Sequence, residues 1–277
     1  LVINMSIIKT FKSSAWLGWE MESNWANPFL FALYSIARPI AGIFLVVLMY
    51  WFIDAPENLF ALMFVGSVFY MYIFNVLFGV SWVIQEDREH YKVLKYIFMA
   101  PSNIYFYLLG RAFSKTIITT FAVLITLLFG ALVLNVNIIF DKPLFFLLSF
   151  ILGIIGIAAF GIIMAGISLL LVRHNFYIGE SLAGVFYLFC GVIFPLSVLP
   201  SWGQSLSKLL PMTYWLEATR RSLLGFGDSS LEGVTDLQIF RNLLMFGIGF
   251  LILSLISFKY CTDLAKKRGI LDMTTWH

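Results

Sequence analysis

Glu217, Arg220, Arg221 and Asp228 fall within twelve residues of one another, the densest group of ionisable side chains placed to do chemistry at a membrane interface. Two carboxylates beside two guanidiniums suit acid–base work in a lipid-modifying enzyme. A gating role for Glu217 is the competing reading. Other chemistry finds little support. His90, His174 and His277 lie far apart with no Cys or carboxylate at ligand spacing, so no metal site is predicted and His90 reads as a solvated loop residue. No Ser/His/Asp constellation stands out, and the chain contains no Gly-x(4)-Gly-Lys-Ser/Thr loop that could cradle a nucleotide phosphate. Cys190 and Cys261 are too few for a disulfide framework and read as structural.

The elements that carry these residues are set by an apolar composition. Of 277 residues, 61% are hydrophobic and 12% charged, with a mean hydropathy of +0.92, which excludes a soluble enzyme. The net charge of +3 is scattered, with no basic run interleaved with aromatics, so nucleic acid is excluded as a partner. Six segments are long enough to span a bilayer: Leu30–Ile53, Leu59–Ile84, Ile104–Leu134, Leu144–Val172, Ile178–Val198 and Ile239–Phe258. The expected fold is an all-α, multi-pass membrane protein with a single domain over 1–277. That domain comprises an interface helix at 5–28, six spanning helices over 30–258 and a cytoplasmic tail at 259–277. Leu1–Ile8 is too short for a signal segment, so no removable leader is expected.

Orientation follows from Lys and Arg in the connections. With the N-terminus inside, the inner set is Lys9, Lys12, Arg88, Lys92, Lys95, Arg111, Lys115, Arg173, Lys259, Lys266, Lys267 and Arg268. The outer set is only Lys142, Lys208, Arg220, Arg221 and Arg241, so both termini are expected in the cytoplasm. Arg111 and Lys115 open the third span and are expected to snorkel to headgroups. Ionisable residues inside a span are functional hypotheses by default. For Arg38 the favoured reading is snorkelling to the inner surface; for Glu180 it is pairing with Arg173 or capping the fifth span. Gly153, Gly156, Gly161, Ala165 and Gly166 form a small-residue stripe that permits close packing, read as packing within the subunit.

Three non-spanning segments carry information. Ile8, Phe11, Ala15 and Trp19 recur at helical spacing beside Trp16 and Trp25, which predicts an amphipathic helix on the inner membrane face. In Gln85–Asn103, acids lead and lysines follow, while Tyr91, Leu94 and Phe98 share a helical face. That is either a short helix with something to dock or a charged loop holding topology. Leu199–Leu231 is apolar but broken by Pro200 and Pro211 and carries Lys208, Glu217, Arg220 and Arg221. Such backbone is tolerated at membrane depth only when buried in protein or lining a cavity, so a re-entrant pair of short helices on the outer side is predicted, with an external loop as the alternative.

Pro195-x(4)-Pro200, Pro211-Met212-Thr213-Tyr214 and Glu217-x-x-Arg220 follow the inner acidic loop in that order, and together they resemble the permease subunit of type-2 ATP-binding-cassette (ABC) exporters. The resemblance covers nearly the whole chain. It departs at Lys92-Val93, where many members carry Gly-Thr. The resemblance implies that Glu86–Ile97 is a coupling helix seated on a separate ATPase, with Glu86, Asp87, Arg88, Glu89, Tyr91, Leu94 and Lys95 as contacts. It further implies an outer gate built from Pro195, Pro200, Pro211, Tyr214, Glu217 and Arg220. Two copies of the ATPase would hold ATP and Mg, this chain would bind no cofactor, and a second permease, identical or homologous, would complete the path in the cell membrane.

The function expected from this resemblance is outward movement of an amphipathic cargo, such as a drug, a lipid or a lipid-linked glycan. Phe69, Tyr70, Tyr72, Phe74 and Phe78 in span two, with Phe186, Tyr187 and Phe189 in span five, are the candidate path lining. An ATP-independent secondary transporter or channel is the alternative, although no inverted repeat or midplane carboxylate pair supports it. A membrane enzyme is the third reading.

Overall fold

The computed structural model describes residues 2–24, 27–54, 56–100, 102–171, 175–231 and 233–271, and those residues form helices and loops with no strand among them. Among the described residues, five helices are long and apolar enough to cross a membrane: α2 (Pro28–Phe52), a continuous rod over Glu57–His90, α6 (Ile104–Leu132), α7 (Pro143–Leu170) and α11 (Asp236–Arg268). At about 1.5 Å per residue, even the 25 residues of α2 exceed a hydrocarbon core of about 30 Å. Their starts are specified locally. Asn27 and Asn103 accept the backbone N–H two residues on at the heads of α2 and α6, and Thr235 with Gln238 forms a capping box on α11.

The Glu57–His90 rod is composite. It runs as α3 (Glu57–Tyr72), a π-helical turn at Ile73–Phe78, α4 (Gly79–Gln85) and a second π-helical turn at Glu86–His90. With α7 it forms the centre of the bundle. The small residues of α7 permit that position: a Cβ on Gly153 would overlap the Trp215 ring, and one on Gly161 would press on Val80 and Leu77. Gly156 meets Gly247, and Gly166 meets Phe258 and Cys261, so α11 runs close along α7. The small-residue stripe therefore packs within the subunit.

The fifth expected span is shorter than the apolar run that suggested it. The helix α8 covers Asn175–Phe189, 15 residues, and ends before Gly191, which holds a left-handed φ of 67°. Pro195 and Pro200 lack the N–H that a helix would need beyond this point. Residues 190–195 instead form irregular backbone and Leu196–Val198 a single 3-10 turn, with Val192 and Leu196 buried. Two short helices follow, α9 (Ser201–Leu209) and α10 (Pro211–Leu224). Every residue of α10 except Arg221 is buried, because α3, α7 and α11 enclose it. That agrees with a re-entrant pair rather than a surface loop.

At the other end of the bundle, α1 (Val2–Ser23) lies along α6. The expected stripe is divided: Phe11 and Ala15 join Ser14 and Gly18 in the contact with α6, while Ile8 is exposed. Gly110 of α6 touches Ser14 and Phe11, and Gly18 touches Ser114, so small residues bring the two backbones together. Trp16 projects away from this contact and is exposed. Trp25, the remainder of the tail beyond Leu271, and the proposed Arg173 partner of Glu180 lie outside the described residues, as do His174 and His277. Glu180 itself is exposed.

Candidate functional site

Between α2, the Glu57–Gln85 rod, α6 and α8 lies a half-open cleft of about 830 Å³. Its back wall is aromatic. Tyr70, Phe74, Phe78 and Trp82 recur every four residues along the rod and all face the cleft. A four-residue repeat drifts around a regular 3.6-residue helix, but the wider π turn at Ile73–Phe78 takes up that drift and keeps the row on one wall. Phe74 stacks on Phe78 at 5.4 Å and Phe78 on Trp82 at 6.3 Å. Tyr187 of α8 meets Tyr70 at 4.8 Å, and the Tyr70 hydroxyl donates to the carbonyl of Ala183 at 2.7 Å. Of the aromatic residues expected to line a path, Phe69 and Tyr72 instead pack in the core against Trp215 and Phe186 against Phe160, while half-buried Phe189 meets the exposed Trp202.

Polar groups enter the cleft at Ser67, Asn75, Arg38, Lys115, Glu22 and Glu86. Glu22 of α1 is bonded to Lys115 of α6. Burial pushes the Glu22 carboxyl up, but Lys115 beside it outweighs that through charge and a hydrogen bond, and Arg111 and Arg38 add to it, so Glu22 is held below the usual carboxylate range. Arg111 and Lys115 therefore do not snorkel to headgroups. Arg111 is 1% exposed; its Nη2 donates to Glu86 at 2.8 Å, and its Nη1 lies 3.9 Å from Asp87. The Tyr107 hydroxyl donates to the other Asp87 oxygen at 2.8 Å. Two like cations one turn apart on α6 had looked like an interface anchor. They are the partners of acids on α1 and on the end of the rod.

This cluster also revises the expected helix Glu86–Ile97. Glu86–His90 is the last turn of the rod, with Asp87 and Arg88 buried and Arg88 donating to the carbonyl of Leu169 at 2.9 Å. The chain then bends at Tyr91, passes through a left-handed Lys92 (φ 55°) and restarts as α5 (Leu94–Met99). Tyr91, Leu94 and Phe98 thus share no continuous face, and Leu94 is 2% exposed within the core. The reason is local: an i→i+4 ladder cannot cross a left-handed residue. What α5 presents outward is Lys95, Tyr96 and Met99, with Tyr96 61% and Met99 79% exposed and the Lys95 ammonium 5.2 Å from the Tyr96 ring. Glu89 is half-buried beside an exposed His90.

At the opposite end the proline and Glu-x-x-Arg motifs converge as a lock. Arg220, 2% exposed, donates through Nε to the carbonyl of Leu62 at 2.9 Å and through Nη2 to that of Gly191. One side chain thus satisfies a carbonyl of α3 and one in the irregular stretch after α8. Glu217 accepts from Arg221 at 2.6 Å and from the Asp228 backbone N–H at 3.0 Å. Asp228 accepts the Leu196 N–H at 2.9 Å, and Arg221 reaches the carbonyls of Leu231 and Val234. Pro211 is buried at the head of α10, and the Tyr214 hydroxyl donates to Lys208. Pro195 is half-buried and Pro200 exposed. None of these groups lines the large cleft. Glu217, Arg220, Arg221 and Asp228 are engaged with protein partners, an arrangement that holds structure and presents no reactive group to a substrate.

Residues 14–224 match the family model described as ABC-2 type transporter. No curated protein matches the chain.

Proposed function

Because this multi-pass membrane protein belongs to the ABC-2 type transporter family, we propose that it is the permease subunit of an ATP-driven exporter that moves an amphipathic cargo outward across the cell membrane. The observation that supports this reading is the half-open cleft, whose aromatic wall and polar end match a molecule with an apolar body and a polar head. The end of the bundle that carries α1 and α5 is the cytoplasmic one, in keeping with its excess of Lys and Arg. Energy comes from two copies of a separate ATPase, which hold ATP and Mg. The open side of the cleft faces a second permease, identical or homologous. Closure of the ATPases pushes on α5, and the buried Asp87–Tyr107–Arg111 cluster passes the push to the rod that walls the cleft.

The test is affinity purification of the chain from its native host in mild detergent, with mass spectrometry of what accompanies it. A phosphate-loop ATPase at stoichiometric ratio is expected for the wild type. Tyr96→Asp, on the exposed face of α5, is expected to lose it while staying folded in the membrane. Repeated absence of any ATPase from the intact wild type would overturn the reading in favour of an ATP-independent transporter. Leu94→Asp cannot serve here, since Leu94 is a core residue and its loss unsettles the fold itself.

A further inference from the structure

Arg38 stands ten residues into α2, so its Cα lies about 15 Å from the head of that helix. Its side chain reaches back toward that head, the direction expected of snorkelling to the inner surface. Its guanidinium leans one turn back and rests 5.5 Å from the centre of the Tyr34 ring, inside the cleft. The side chain is exposed and has no carboxylate in contact among the described residues. Glu22 feels its charge but is bonded to Lys115, and Glu86 is bonded to Arg111. A guanidinium with five N–H donors therefore lines a largely apolar cavity with no carboxylate in contact among the described residues.

Ser35 and Pro39 both line the cleft beside Arg38, with Asn75 also in its lining. A cation, a hydroxyl-bearing residue and an amide-bearing residue thus line one cavity, together with the wall of Phe74 and Phe78.

We propose that Arg38, Ser35 and Asn75 form a binding site for the phosphate head of an anionic amphiphile whose acyl chains lie along the Phe74–Phe78 wall. This deepens the exporter reading by naming the class of cargo, and it rests on that reading only for the claim that the molecule is moved. The occupant's chemistry, a phosphate diester carried on apolar chains, fits both a transported lipid and a resident one.

Native mass spectrometry of the purified chain, titrated with phosphatidylglycerol and separately with phosphatidylcholine, tests the site without any partner. The wild type is expected to prefer phosphatidylglycerol. Arg38→Gln should weaken phosphatidylglycerol binding about tenfold, the scale of one lost charge-assisted contact, and leave phosphatidylcholine unchanged. Arg38→Lys should restore most of the preference. Equal binding of phosphatidylglycerol by wild type and Arg38→Gln overturns the proposal, and so does an equal loss for both lipids. A second arm follows lipid movement in vesicles holding the chain with any co-purified ATPase. ATP-dependent movement of phosphatidylglycerol that fails in Arg38→Gln identifies the occupant as cargo. Arg38-dependent binding without movement keeps the site, assigns it to a resident lipid, and counts against export of this lipid class.

Discussion

At the scale of single residues, the far end of the molecule turns on Glu217 and Arg220. Removing the Glu217 carboxylate leaves the Arg221 guanidinium with one fewer partner and the buried Asp228 N–H with none, so Glu217→Ala should destabilise by about 3 kcal/mol. Thermal unfolding in detergent measures it, and a midpoint equal to wild type would show that the lock is unimportant. The opposite sign is expected at Lys92. A lysine at φ 55° carries strain that glycine does not, so Lys92→Gly should stabilise by about 1 kcal/mol. An unchanged or lower midpoint would mean that the turn is not strained at that residue. The same position is where the chain departs from the Gly-Thr of the family it resembles. Lys92 thus stands at a place whose backbone suits glycine.

At the scale of elements, α1 is held to α6 by small-residue contact and by the Glu22–Lys115 pair. Folding lowers the Glu22 pKa, so the pair contributes above the ordinary carboxylate pKa and is lost as pH falls through the lowered folded value. The distance between spin labels at Ser13 and Phe113 should therefore hold constant from about pH 8 to pH 5 and lengthen only in stronger acid. Lengthening near neutral pH would contradict the assignment. Helix lengths were largely legible in the sequence, since a bilayer demands long apolar runs and α2, α6 and α7 follow them closely, whereas α11 continues past Phe258 to Arg268, into the expected tail. The rod was legible to Ile84 but not beyond, because Glu86–His90 is charged and yet buried by partners far along the chain, Arg111 and Leu169. The end of α8 at Phe189 was half legible: Pro195 marks a stop, while hydropathy alone carries the run on to Val198. The left-handed turn at Lys92 left no signal in residue type, and the cleft left none either, since a repeat of aromatics reads the same whether it faces core, lipid or cavity.

At the scale of the whole molecule, the cleft and the α10 lock occupy separate regions. Arg220 nevertheless ties α3 to the backbone beyond α8, and both of those helices also wall the cleft. The enclosure of α10 also bears on how the chain is made. With 14 residues that include Glu217, Arg220 and Arg221, α10 is too short and too polar to enter the bilayer by itself. Its resting place needs α11, which lies later in the chain and closes one side of it. During synthesis α10 must therefore wait outside the lipid until α11 has been inserted, so the motif-bearing segment is the last part of the permease to find its position, although a span remains to be translated after it.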